Sequence, residues 1–180
     1  MHKPQKYSTL TRALHWLVAA IVLATMPIGV IMLQDGLARP TQDMLFILHK
    51  NGGVILLLLV ILRIAWRMGT PSPALPATIP HWQKRLAKGV QATLYGLLLV
   101  MAVSGYVRVR AGGFPVEMLD ALGVPAMVPR SDTLADTAQS IHATARFPLA
   151  VLILLHIVAA LKHLIARDGV FSHIWPPVGR

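Results

Sequence analysis

Cysteine is absent from all 180 residues. That excludes disulfides, thiolate metal centres and the C-x-x-C-H attachment of a c-type haem, so any haem in this chain must be held non-covalently. Acidic residues are scarce, with only seven Asp and Glu. None of them falls inside a long apolar run, which disfavours a carboxylate-lined path for protons or metal ions. Charged residues make up 13% of the chain against 55% hydrophobic, and the mean hydropathy is +0.61. A soluble domain of this size is not so apolar, and the balance is that of an integral membrane protein. Internal repeats and low-complexity segments are also lacking. A cleavable signal is not expected: residues 1–11 are polar, and the first apolar run continues to Leu33 without a small-residue cleavage pattern, so the first span should stay in the mature protein.

What is present are four apolar stretches, roughly 13–33, 44–66, 86–107 and 145–166, each near the ~20 residues that a spanning helix needs. The expected fold is all-α, an integral membrane four-helix bundle forming one domain over residues 1–180. A net charge of +10 would suggest nucleic acid in a soluble protein, but in a membrane protein the placement of charge carries the information. With four spans both ends share one side. That side holds eleven Lys and Arg, Lys3 and Arg180 among them, against the single acid Asp168, while the other side holds six bases against six acids. By the positive-inside rule both termini are expected in the cytoplasm. The proline-rich linker 68–80 cannot be helical and reads as an extended connector. Residues 108–140 form the longest loop, with an apolar stretch to Val128 suited to lying on the outer membrane surface or capping the bundle.

The last apolar segment carries His156, with His142 ahead of it and His163 just after it. Ionisable side chains at membrane depth are expensive and usually functional. His142 and His156 are fourteen residues apart, about 40° short of four full turns, so they share a helix face roughly 21 Å apart along the axis. His15 lies at the cytoplasmic start of span one and His49 at the outer start of span two. Matching depths pairs His49 with His142 on the outer side and His15 with His156 on the inner side. Each pair can supply two axial imidazoles to a haem iron in the bundle core. One such histidine is accounted for by hydrogen-bonded packing; four at two matched depths call for more. Polar packing, a proton path and a transition-metal site remain the alternatives on residues alone. His163 is about 60° short of six turns from His142, so depth leaves it open as inner ligand, or as a contact for a propionate or quinone. His2, His81 and His173 sit in polar or proline-flanked segments and are expected in solvent.

These features meet in a set of motifs: Tyr7-Ser8 leading to Arg12-x-x-His15-Trp16; His49-Lys50-x-Gly52 leading to Arg63 and Trp66-Arg67; Leu94-Tyr95 and Ser104-Gly105-Tyr106; and the His142 to His156 spacing. With them nearly the whole chain resembles the bacterial cytochrome b561 family, four-helix di-haem b proteins of the inner membrane. The resemblance implies His15, His49, His142 and His156 as axial ligands of two non-covalent haems b. Two positions depart from it, Gln91 where many relatives carry histidine and Ala102 where they carry proline, and neither is an expected ligand. Pro148 implies that helix four begins near it or bends there.

Bis-histidine ligation leaves no open iron position, which points to outer-sphere electron transfer. Some members of the family resembled oxidise superoxide at the periplasmic face and reduce ubiquinone. Arg108 and Arg110 would suit steering of a small anion. Lys50, Arg108, Arg146, Lys162 and His163 are the expected propionate or quinone contacts, with Arg110, Arg12, Arg63 and Arg67 also near a haem, and each is equally an ordinary interfacial anchor. The partners implied are membrane lipid, quinone and a small periplasmic reactant, not nucleic acid. Two competing readings are a cytochrome b anchor subunit of a larger dehydrogenase and a haem-free proton or metal transporter.

Overall fold

A computed structural model describes residues 6–178; His2, Lys3 and Arg180 lie outside the described residues. The chain forms five α-helices, α1 (Thr9–Ile31), α2 (Arg39–Gly69), α3 (His81–Ala111), α4 (Glu117–Ala121) and α5 (Asp132–Ala166), followed by a 3-10 turn at Phe171–His173, with no strand among the described residues. Four of the helices are long and apolar enough to cross a membrane. α1, of 23 residues, is about 35 Å long at about 1.5 Å per residue, close to the bilayer's apolar thickness. The others are longer and extend beyond it.

Local chemistry sets the helix ends. Ser8 and Ser131 cap α1 and α5 by accepting the N–H groups of Thr11 and Leu134 at 3.3 Å. Pro40 sits in the first turn of α2, where its missing N–H costs nothing, and Pro80 immediately precedes α3. The linker is non-helical over 70–80, as its prolines require, whereas Met68 and Gly69, expected in it, form the end of α2 ahead of the first proline. α5 differs from expectation: it starts at Asp132, not near 145, and runs through Pro148. Its first turns, Thr-Leu-Ala-Asp-Thr-Ala-Gln-Ser, are too polar for a hydropathy run to reach, but they are well capped by Ser131. The outer loop is correspondingly shorter than 108–140.

Helices adjacent in sequence pack as antiparallel neighbours: α1 on α2, α2 on α3, α3 on α5. Among the described residues α5 comes within 8 Å, Cα to Cα, of neither α1 nor α2. Gly52 lets α1 and α2 close up, since a Cβ there would stand 2.8 Å from Thr25 Cγ2. At the far end of the same pair the Trp66 indole N–H donates to Thr11 Oγ1 at 3.2 Å. These two contacts fix the register and bring Arg63 level with His15. The buried core, Val18, Val22, Leu56, Val60, Leu98 and Leu149, lies in the middle of the bundle. Leu17, Leu23, Leu58, Ile61, Leu154 and Val158 face outward, as a lipid-facing surface requires.

The two ends of the bundle are closed differently. At the loop end, α4 is fastened to α2. Lys50 Nζ donates to Glu117 Oε1 at 2.5 Å and to the Pro115 carbonyl at 2.8 Å, Asn51 Nδ2 donates to Glu117 Oε2 at 3.2 Å, and Asn51 Oδ1 accepts Met118 N–H at 3.0 Å. Buried Arg110 donates to Asp120 at 2.6 Å, and Ser131 N–H donates to the Ala111 carbonyl at 2.9 Å, clasping the base of the loop. Thus the stretch expected to lie on the membrane or cap the bundle is held as a cap. At the terminal end, residues after α5 fold back over α1: Tyr7 N–H donates to the His173 carbonyl, Arg12 Nη1 to the Pro176 carbonyl at 2.6 Å, and Trp16 Nε1 to the Ile174 carbonyl at 3.0 Å. This corrects the placing of His173 in solvent. It is half-buried in that fold-back, and burial lowers its pKa. His81 is exposed, as expected.

Candidate functional site: two histidine pairs

Four half-buried histidines meet as two pairs. His15 of α1 faces His156 of α5 with ring centroids 6.2 Å apart and planes at 73°. His49 of α2 faces His142 of α5 with centroids 6.2 Å apart and planes at 83°. Both pairs join helices whose backbones do not touch. Two imidazoles bound to one metal ion from opposite sides, each at a usual metal–nitrogen distance of about 2 Å, would have ring centres about 6 Å apart. Among the described residues no group of three or more His, Asp or Glu gathers to hold a metal ion. Each pair therefore offers two nitrogens and leaves the remaining coordination to a ligand brought from outside, which is what a porphyrin supplies.

The loop-end pair is aimed by backbone carbonyls. His49 Nδ1 lies 3.0 Å from the Thr25 carbonyl, and His142 Nδ1 lies 2.9 Å from the Met101 carbonyl with Ser104 Oγ at 3.3 Å. A carbonyl can only accept, so in each ring Nδ1 carries the proton and Nε2 keeps its lone pair free as a metal ligand. Thr25 precedes Pro27 within α1. The N–H that Pro27 lacks would have gone to the Leu23 carbonyl, so Thr25 accepts from His49 with the second lone pair of a carbonyl that keeps its own place in the helix ladder. Two glycines make room: a Cβ on Gly29 would stand 2.7 Å from His49 Cε1, and one on Gly105 would stand 3.1 Å from His142 Cε1. Sequence reasoning missed Gly29, Thr25 and Met101, because the carbonyl of any residue serves equally and one glycine in an apolar run has no distinguishing mark.

The terminal-end pair is surrounded by cations and aromatics. Trp16 packs on His15 with centroids 5.5 Å apart and itself meets Trp175 at 5.5 Å. Arg63 lies within electrostatic reach of both His15 and His156. Its Nε donates to Tyr95 Oη at 2.6 Å, and one turn on Arg67 Nη2 donates to Tyr7 Oη at 3.2 Å.

The other expected contacts are distributed as follows. His163 stands apart from His15 and donates from Nδ1 to Asp168 at 2.6 Å. Burial pushes the Asp168 carboxyl up, but hydrogen bonds from His163 and Val170 N–H outweigh it and hold it below its usual range. Lys162 is exposed on the outer face of α5. Lys50 is engaged by the α4 cap, where burial raises the Glu117 carboxyl and the hydrogen bonds from Lys50 and Asn51 bring it below normal. Arg110 is tied to Asp120 and buried, so it is not the free steering cation expected from sequence. Arg108 and Arg146 bear on His142, Arg146 from an exposed position over the Phe147 ring at 4.7 Å.

A membrane-spanning four-helix bundle with imidazole pairs at two levels is the architecture of a b-type cytochrome. A model of the family described as prokaryotic cytochrome b561 matches residues 6–177, and this chain belongs to that family. It is 31% identical over 165 residues to a protein named cytochrome b561 homolog 2 from Escherichia coli strain K12, covering 89% of this chain and 85% of the relative. It is 26% identical over 177 residues to one named probable superoxide oxidase CybB from Yersinia pestis, covering 98% of each. The protein is thus a multi-pass inner-membrane cytochrome b with a role in electron transfer, and haem b is its family's cofactor.

Proposed function

We propose that residues 1–180 form one di-haem domain with both termini in the cytoplasm, exchanging electrons between a periplasmic reactant, superoxide, and membrane ubiquinone. His15 with His156, and His49 with His142, are the axial ligands in this reading. The observation that carries it is the equal 6.2 Å separation of the two imidazole pairs, which lie at opposite ends of the apolar core. The resemblance to a probable superoxide oxidase over 98% of the chain supports the choice of reactant, and the one-sided charge supports the orientation. When bound, haem would supply a one-electron couple, held at each level by the two imidazoles.

The chain's own residues prepare each level. The Thr25 and Met101 carbonyls fix ring tautomer and direction at the loop end and raise ligand basicity. The α4 cap and the terminal fold-back cover the two pairs against water. Arg108 and Arg146 give the loop end a local positive field although its loops are neutral overall, attracting a small anion. Two superoxide ions give up one electron each and become oxygen; ubiquinone takes the two electrons with two protons and becomes ubiquinol.

The purified protein should show low-spin b-type bands on reduction with haem near two per chain, and anaerobic superoxide should reduce added ubiquinone. His156→Ala should lose one haem and keep the loop-end one. Retention of two haems in that variant would pass the ligand role to His163, and the absence of a Soret band from the native protein would overturn the reading.

A further inference from the structure

At the terminal end, no acidic group among the described residues pairs with Arg63 or Arg67. Arg63 and Arg67 lie one helical turn apart on α2, so their side chains share a face. Each spends part of its guanidinium on a tyrosine: Arg63 through Nε to Tyr95 Oη and over the Tyr95 ring at 5.6 Å, Arg67 through Nη2 to Tyr7 Oη and over the Tyr7 ring at 4.7 Å. In both, Nη1 is buried and has no acceptor among the described residues. The ion pairs among those residues involve Arg39, Lys50, Arg110 and His163, not these two arginines.

A buried guanidinium N–H without a partner costs about 1–3 kcal/mol or more, and two on neighbouring turns of one helix imply that an acceptor is brought in. The tyrosines hold the planar forks in place, and a fork of parallel N–H groups fits a carboxylate. Trp66 on α2 meets Thr11 on α1, and the two helices run antiparallel, so Arg63, one turn before Trp66, is level with His15, one turn after Thr11. An acceptor for these donors would sit at the edge of whatever the terminal-end imidazoles hold.

We propose that Arg63 and Arg67, positioned by Tyr95 and Tyr7, form a carboxylate clamp that binds the propionate groups of the terminal-end haem and so sets which edge of the porphyrin faces the chain termini. This rests on the assignment of His15 and His156 as ligands. It moves the anion-binding role away from Lys162, which faces outward, and from His163, whose Nδ1 is taken by Asp168.

The test uses full-length apoprotein carrying His142→Ala, so that only the terminal-end site loads, titrated with haem or with haem dimethyl ester, whose carboxylates are masked. Soret absorbance reads the affinity. With both arginines present, the ester should bind about 10- to 100-fold more weakly than haem, the size of a lost charge-assisted hydrogen bond or two. With Arg63→Gln and Arg67→Gln the two should bind alike, and Tyr95→Phe alone should reduce the discrimination without abolishing it. Equal binding of haem and ester by the protein with both arginines, or unchanged discrimination in the double variant, overturns the clamp. An anionic headgroup could satisfy the same N–H groups. In that case esterification would have no effect, while phosphatidylglycerol in nanodiscs would stabilise the protein only when both arginines are present, and the clamp would again be overturned. If neither porphyrin gives a Soret band, the His15 and His156 assignment falls, and the clamp with it.

Discussion

The two ends of the bundle solve the same problem, holding two imidazoles opposite one another across a gap, with different materials. The loop end pairs its cap cations with acids of the protein: both rings are fixed by backbone carbonyls, Gly29 and Gly105 make room for them, and its cap is closed by the Lys50–Glu117 and Arg110–Asp120 pairs, with Arg110 Nε the one buried cap donor that has no acceptor among the described residues. The terminal end leaves Arg63 and Arg67 with buried donors unanswered and shields its pair with aromatic rings and a fold-back of the chain. The loop end is thus preorganised, whereas the terminal end depends on its ligand to balance its charge. Burial makes the difference matter, since an unpaired charge is costly only where water cannot reach it.

The widest test of that contrast is steric. Gly29→Ala places a methyl against the His49 ring that Thr25 holds, and should weaken the loop-end site about 10- to 100-fold, the cost typical of disturbing a ligand's support. The terminal-end site should keep its haem, as read by stoichiometry and reduced spectra. Gly105→Ala, with its contact at 3.1 Å instead of 2.7 Å, should do the same more mildly. Equal losses at both levels would mean that the ends are not independent.

A smaller effect is expected from the cap. Glu117→Gln removes the charge that Lys50 faces and should destabilise by about 1–3 kcal/mol. The response should be confined to faster hydrogen exchange over residues 112–130, with the terminal end unchanged.

The smallest is acid. The Glu117 and Asp120 carboxyls are held below their ordinary values, Asp120 by the hydrogen bond from Arg110. Their contribution is complete above the ordinary carboxylate range and is lost as pH falls through the lowered folded-state values. Exchange in 112–130 should rise only under such acidity, and in Glu117→Gln that rise should be reduced.

Much of this was readable from residue spacing. The four spans follow from apolar runs of membrane length, and the pairing of His15 with His156 and His49 with His142 follows from the rise per residue and the alternation of antiparallel spans. The motifs from Arg12-x-x-His15-Trp16 to the His142–His156 spacing together carried the family. The polar start of α5 was not readable, because hydropathy reports what a lipid-facing segment needs and not where a capped helix begins. The roles of Lys50 and Arg110 were not readable either. A cation near a membrane boundary looks the same in sequence whether it faces solvent, a ligand or, as here, an acid 67 or 10 residues away.

By itself the sequence determined that this chain crosses a membrane four times on helices and carries imidazoles at two depths, because both properties depend on length, period and polarity along one dimension. Only the tertiary structure decided which carbonyl aims each ring, which glycine must stay bare and which arginines lack an acceptor. Those depend on distances between helices, which are set by packing and leave no periodic trace in the chain.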